Sequence, residues 1–486
     1  MPLSPRRERM SEGTHRSVLV ALRVVIRIAV ASAYAGALVL IYGSWVAPNA
    51  AYLGFTYLEP DGATLAEVLL LAVIPSAFLP RALRAPSDFF VWMIYFFIYV
   101  PCAIVPALLG YLAPSDVIHL TIALFLAFLA IAKFPRFKLP APSARPLNKQ
   151  FFWFVFIAVY VALTGFVLFA FRGQMFFAGL DEIYDKRASG VDIFSQGVIG
   201  TIAGYANGFL FGAFNPFLLA LGVAKRRPMI FVVGALGNVL LYTTIASKAT
   251  LMCVVITPLF YLLTLEGKRG QNLIRIGYIV LAVAIVPYAL YQIPLFSDDS
   301  GFFSQVIMQV VYERTIMTPG AVLGQYADFF TTHPHTYFTH VGLLSKLIPY
   351  NYPYNERLGY VIADYVFKHQ TGGDIEYNAN LFATDGIAAL GNVGVVIIGI
   401  VLGFMLRVID TFIRPALVPL FCAAGVTSIM VLANGSLFGT LLSGGLGGLV
   451  LICIGWGQTE VGPQVAPASY RRSPAAPAVT SPQWSG

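Results

Sequence analysis

Charge is what this 486-residue chain has least of. Asp, Glu, Lys and Arg make up 11% of it, against about 25% in a soluble globular domain. So little charge cannot cover a water-facing surface, and 58% of the residues are hydrophobic, so lipid must face much of the chain. Cysteine is scarce as well. Cys102, Cys253, Cys422 and Cys453 all lie inside apolar runs, with no C-x-x-C and no paired Cys/His spacing. Neither a disulfide nor a metal site is expected, and no cofactor. A basic stripe interleaved with base-stacking aromatics is missing too. The net charge of +8 comes from short basic clusters between apolar runs, which excludes a nucleic-acid partner. No repeat relates the two halves, and no matching pair of broken helices occurs, which counts against an inverted-repeat transporter.

Long apolar runs are what the chain has in abundance. They predict an all-α polytopic membrane protein with about 12 transmembrane helices, near 27–46, 64–83, 88–111, 115–134, 151–172, 196–223, 229–247, 249–265, 273–293, 384–406, 415–433 and 437–456. Each is close to the ~20 residues a bilayer requires. Arg6, Arg7 and Arg9 ahead of an apolar run resemble a signal peptide, but the run from Ile28 to Val46 is long enough to span, so it reads as an uncleaved first helix. The chain therefore divides into an N-terminal segment 1–26, nine helices over 27–293, one large loop 294–383 containing amphipathic helices, three helices over 384–456, and a Pro-, Ala- and Ser-rich disordered tail 457–486. The stretches 197–223 and 436–456 are rich in glycine, which permits close helix packing.

Twelve spans put both termini on one side. With that side cytoplasmic, the inner loops hold the basic clusters, from Arg81 and Arg84 to Arg407 and Arg414. Only Arg172, Lys186, Arg187, Lys248, Arg314, Lys346, Arg357 and Lys368, eight of the 31 Lys and Arg residues, fall outside. This is the asymmetry of the positive-inside rule. The outer side then carries the chemistry, in segment 173–195 and in the loop 294–383, and loops of that length are usually functional. In the large loop Phe303, Val306, Ile307, Val310 and Val311 recur at helical spacing, so an amphipathic helix on the bundle or the interface is expected, ending at Arg314. Thr318-Pro319-Gly320 reads as a turn, followed by a second apolar pattern to Phe330. Tyr350, Tyr352, Tyr354 and Tyr360 offer flat faces that stack on sugar C–H groups and equally form interfacial belts; composition favours neither. In the first outer loop, the Pro-Asp-Gly at 60–62 is explained by turn chemistry.

Three local pieces carry a resemblance. They are the hairpin Thr243 to Thr250 (TTIASKAT), the segment Tyr312 to Gly320 (YERTIMTPG), and Asn380 to Gly394 (NLFATDGIAALGNVG) with its Gly391-x-x-Gly394 spacing. Arg187 and Arg314 each precede a glycine by ten positions, Gly197 and Gly324. With these, and with one large outer loop before the last helices, the chain resembles the oligosaccharide repeat-unit polymerases, the Wzy-type O-antigen and exopolysaccharide polymerases. Where that family often has a Ser-Arg hairpin tip, this chain has Ser247-Lys248, which loses the bidentate fork of Arg. Some members space the Arg-to-Gly pair by one residue more.

The resemblance implies a multi-pass protein of the bacterial inner membrane, with the large loop periplasmic and both ends cytoplasmic. It implies a glycosyltransferase that needs no metal and joins polyprenyl-pyrophosphate-linked glycans, with the bilayer and a chain-length regulator protein as further partners. The leaving lipid pyrophosphate gains charge and must meet fixed cations. Among the few outer cations the choice falls on Arg187, Lys248 and Arg314. The acceptor hydroxyl needs a base, for which His340, Asp385, Glu376 and Asp328 are candidates, His340 and Asp385 foremost. Each has a plainer reading: Arg187 paired with Asp181 or Asp185, Arg314 snorkelling, His340 structural, and Asp385 complementing a helix N-terminus. An O-antigen ligase would use the same donor and architecture. A lipid-linked oligosaccharide flippase would line the bundle interior with charge, whereas here the spans look almost free of it.

Overall fold

The computed structural model describes residues 5–137, 146–177, 179, 190, 193–194, 197–265, 272–297, 301–342, 344–367, 377 and 379–460. Among them every regular element is helical. Ten helices are long and apolar enough to cross a membrane: α1 Ala21–Leu53, α3 Pro86–Leu109, α4 Pro114–Lys133, α5 Lys149–Ala170, α6 Gly197–Ala224, α7 Pro228–Ile245, α8 Lys248–Leu265, α9 Leu273–Tyr291, Phe382–Phe412 and Leu437–Thr459. An eleventh is the pair Pro415–Ala424 and Val426–Asn434, bent by 46° at Gly425. The second expected span is a shorter apolar helix, α2, Gly62–Phe78. The protein is an all-α polytopic membrane protein, as its composition requires.

Asp61 starts α2. One of its carboxylate oxygens accepts from the N–H groups of Ala63 at 3.1 Å and Thr64 at 3.0 Å, an N-cap, so the Pro-Asp-Gly at 60–62 opens a helix where a turn was expected. The glycine-rich stretches do pack together. A Cβ on Gly208 or Gly212 would stand 1.8 Å from the carbonyl oxygen of Ser443 or Gly444, so only glycine allows α6 that close to the last helix. All four cysteines are buried and free.

Four helices widen by one residue just before a proline. Ala47, Val100, Asn215 and Thr318 donate their N–H groups five residues back, to Tyr42, Tyr95, Leu210 and Glu313. Each precedes a proline, whose ring crowds the preceding turn and which has no N–H of its own. The last of these overturns an expectation. Thr318-Pro319-Gly320 is no turn: the π-helical α10, Phe303–Met317, runs straight into α11, Thr318–Thr332. Proline sits harmlessly in the first turn of α11. A Cβ on Gly320 would lie 2.3 Å from the Pro101 carbonyl oxygen, and one on Gly324 would lie 2.7 Å from Leu109, so both glycines mark a close crossing with α3. The wider π-helical repeat also moves the buried stripe of α10 to Met308, Tyr312, Ile316 and Met317, leaving the expected stripe half-buried.

The expected span at 384–406 is corrected as well. A half-helix α12, Phe382–Ala388, is followed by non-helical backbone at Leu390 and Gly391, where φ is +62°. The chain reverses there. A Cβ on Gly394 would be 2.2 Å from the carbonyl oxygen of Gly386, eight residues earlier, whereas eight residues along a continuous helix advance about 12 Å. The long helix α13, residues 392–412, leaves the reversal. Apolar length alone cannot reveal such a hairpin, because both arms are hydrophobic. Asn380 caps the half-helix, accepting from Phe382 and Ala383 at 2.9 Å each. The Thr336 and Tyr337 N–H groups cover the carbonyl groups of Ala388 and Ala389 at its other end.

The spans are less free of charge than the sequence led one to expect. At the start of α3, Asp410 accepts from Ser87 N at 2.8 Å and Ser87 Oγ at 2.6 Å. Arg407 donates to Asp410, to Ser87 and to the carbonyl groups of Ala132 and Phe134. Arg136 pairs with buried Asp88 at 2.5 Å. Every member finds partners, which is the condition for burying charge; removing one partner of such a cluster costs about 3–5 kcal/mol. The network bolts α3, α4 and α13 together.

Candidate functional site

The tight hairpin between α7 and α8 turns on Ala246, buried, with φ +49°. Ser247 then starts α8, its carbonyl accepting from the N–H and hydroxyl of Thr250. This fixes Lys248 in the first turn of α8, half-buried. From the other side α10 brings Arg314, its side chain 33% exposed.

Lys248 and Arg314 line one cavity of about 830 Å³. Its polar rim also includes Tyr52, Ser247, Gln309 and Thr315. Apart from Asn434 the rest is apolar, chiefly Met93 and Phe97 of α3, Phe211 of α6, Met252, Ile256 and Phe260 of α8, and Ile429 and Met430 beyond the Gly425 bend. Val306 and Val310, members of the expected amphipathic stripe, face this cavity. Lys248 and Phe260 are twelve residues apart on one helix, about 18 Å at 1.5 Å per residue. The cavity is therefore cationic at one end and apolar along a length comparable to one membrane leaflet.

Sequence reasoning missed two groups there. Glu313, its side chain 2% exposed, holds the Arg314 Nε–H at 2.9 Å, and Tyr52 directs its hydroxyl to the other oxygen of Glu313 at 3.5 Å. Burial pushes the Glu313 carboxyl above its ordinary range, against the opposing pull of Arg314, Tyr52 and Lys248. The neighbouring Glu and Arg were visible in the sequence. The approach of Tyr52, 261 residues away, gave no local signal.

His340 and Asp385 come together away from that cavity's lining. His340 Nε2 lies 3.9 Å from Asp385 Oδ1, with side-chain exposures of 8% and 0%. The distance exceeds a hydrogen bond, and both atoms are buried without a hydrogen-bond partner. The other atoms are fixed. His340 Nδ1 meets Thr336 Oγ1 at 2.6 Å, and that hydroxyl also reaches the Ala388 carbonyl at 2.9 Å. Asp385 Oδ2 accepts from Leu437 N at 2.5 Å. Leu437 lies three residues past Asn434, which lines the cavity. The reversal at Gly391 is what makes this possible: it turns the half-helix bearing Asp385 toward the 336–340 turn. That turn contains two successive non-glycine residues with positive φ, Tyr337 at 49° and Phe338 at 65°, an arrangement that stores strain of order 1–3 kcal/mol per residue.

Arg187 and Glu376 lie outside the described residues. Asp328 accepts from Tyr365 at 2.8 Å and lines no part of the cavity. His333 and His335 stack on Phe329 and Phe330, a packing role. Of the four tyrosines in the 348–360 tract, Tyr350 is exposed, and it meets Tyr337 edge-on at 4.7 Å. Tyr354 bonds the Pro334 carbonyl at 2.6 Å.

Compared with family models, curated proteins and solved structures, the chain matches none, so the functional reading rests on this geometry and on the motifs quoted above.

Proposed function

We propose that the chain is a glycosyltransferase that polymerises polyprenyl-pyrophosphate-linked oligosaccharide repeat units into a surface polysaccharide, O-antigen or exopolysaccharide, at the periplasmic face of the bacterial inner membrane. The observation that carries this reading is the amphiphilic cavity. Lys248 and Arg314 suit an anionic head, and the run from Met93 to Phe260 suits a prenyl chain. A small water-soluble substrate would have no use for the apolar part.

In this reading the head of the donor lipid sits at Lys248 and Arg314. An acceptor hydroxyl oxygen bonds to the anomeric carbon of the donor glycan while the bond from that carbon to the diphosphate breaks. The departing diphosphate keeps the electron pair, and the two cations meet its growing charge. The hydroxyl proton goes to His340 Nε2. Acceptor entry widens the 3.9 Å separation of Nε2 and Asp385 Oδ1 to about 4.5 Å, so that one oxygen hydrogen-bonds to both, and Asp385 then steadies the imidazolium that forms, as a carboxylate does beside a catalytic histidine. The gap is closed to solvent in this state, so acceptor entry displaces the strained 336–340 turn. Apart from the reacting groups, holding two lipid-anchored glycans in one orientation supplies much of the rate.

A strain lacking the protein tests this against the two rivals. The polymerase reading expects single repeat units still passed onward to the surface. Long chains accumulating on the polyprenyl carrier would instead identify an O-antigen ligase, and single units trapped on the inner leaflet would identify a flippase.

A further inference from the structure

The cationic end of the cavity contains its own anion. We propose that Glu313 is a positioning residue for the anion site, a resident counter-ion that aims Arg314 and sets how tightly the cavity takes a diphosphate. The proposal rests on the reading of this cavity as the seat of a lipid diphosphate.

Three observations support it. The Glu313 side chain is 2% exposed, so it does not stand in water where its charge would be screened. Its two oxygens are divided between groups that line the cavity, one on Arg314 Nε at 2.9 Å and one toward the Tyr52 hydroxyl at 3.5 Å, with Lys248 as a further charged neighbour. It lies on the π-helical α10 next to Arg314, itself buried while Arg314 lines the cavity. A carboxylate in that place does two opposed things. It fixes the guanidinium plane, so that the fork points one way, and it repels an arriving diphosphate. Protonation removes the repulsion. Among the described residues, the charged and titratable groups facing it are Tyr52, Lys248 and Arg314. Burial raises the carboxyl above its ordinary range. As pH falls through that raised value, Glu313 takes up a proton and the site becomes more positive, so diphosphate binding tightens. As pH rises above it, binding weakens.

The test is binding of geranylgeranyl diphosphate to the full-length protein in detergent across pH, with wild type and Glu313→Gln compared. The ligand titrates identically in both, so the difference between the proteins reports residue 313. At alkaline pH the glutamine variant is expected to bind about tenfold tighter, with the advantage vanishing at low pH. It should also turn over more slowly despite the tighter binding, because a neutral amide oxygen holds the Arg314 Nε–H more weakly than a carboxylate does. Glu313→Asp, which keeps the charge on a shorter arm, should retain the wild-type pH dependence with reduced turnover. A Glu313→Gln protein that binds no tighter at alkaline pH, or that keeps the wild-type pH profile, overturns the counter-ion role while leaving the cavity reading in place. Absence of binding to all three proteins at every pH overturns the cavity reading, and the role of Glu313 with it.

Discussion

Arg314→Ala is expected to abolish polymer while the protein accumulates to its normal level, and Arg314→Lys to recover little. The guanidinium is held through its Nε–H by Glu313, which sets the plane of the group at the rim of the cavity. A lysine in its place is a point charge that cannot present a fork to a diphosphate. Losing one donor aimed at developing negative charge costs about 10²–10³ in turnover, enough to erase a glycan ladder. The fold should survive, because Arg314 is one-third exposed and the helix around it is anchored by Met308, Tyr312 and Ile316. Lys248→Arg should be tolerated, since it restores a fork at the hairpin tip. The readout is glycan length in cells beside an immunoblot. Full-length polymer from the alanine variant would remove Arg314 from the mechanism.

His340→Ala is expected to lower turnover by about 10²–10⁴, the usual worth of a positioned base, with binding of the lipid diphosphate unchanged because His340 is not part of the cavity lining. Asp385→Asn separates charge from structure. The amide oxygen can still accept from Leu437 N, so the half-helix stays docked, but the imidazolium loses its anion. Turnover should fall with KM for the donor unchanged. A purely structural pair would behave differently, lowering protein level or binding in step with rate. Normal turnover in His340→Ala would remove the base from the account.

The membrane class and most of the helices were legible because each is written locally. An apolar run, a basic cluster and a helix-capping Asp need no distant partner to be recognised. Arg314 and Lys248 were chosen from scarcity of charge, and they share a cavity although 66 positions separate them. His340 and Asp385 were chosen separately and lie side by side. What failed to show was anything decided by tertiary contact. The reversal at Gly391 joins two hydrophobic arms that read as one span. Pro319-Gly320 imitates a turn because its true reasons, a helix first turn and a close crossing with Pro101, lie elsewhere in the chain. The stripe on α10 was read with an α-helical period where the structure uses a wider one. Glu313 stood out nowhere in the sequence, since its significance depends on burial and on Tyr52.

The most direct measurement is made on the purified protein, reconstituted in lipid and supplied with a single substrate, a polyprenyl-pyrophosphate-linked repeat unit. A repeat-unit polymerase uses that substrate as both donor and acceptor, so the account predicts a ladder of lipid-linked oligomers, with one polyprenyl diphosphate released for each bond formed. Substrate left as single units, with transfer appearing only when a lipid A core acceptor is added, would contradict it.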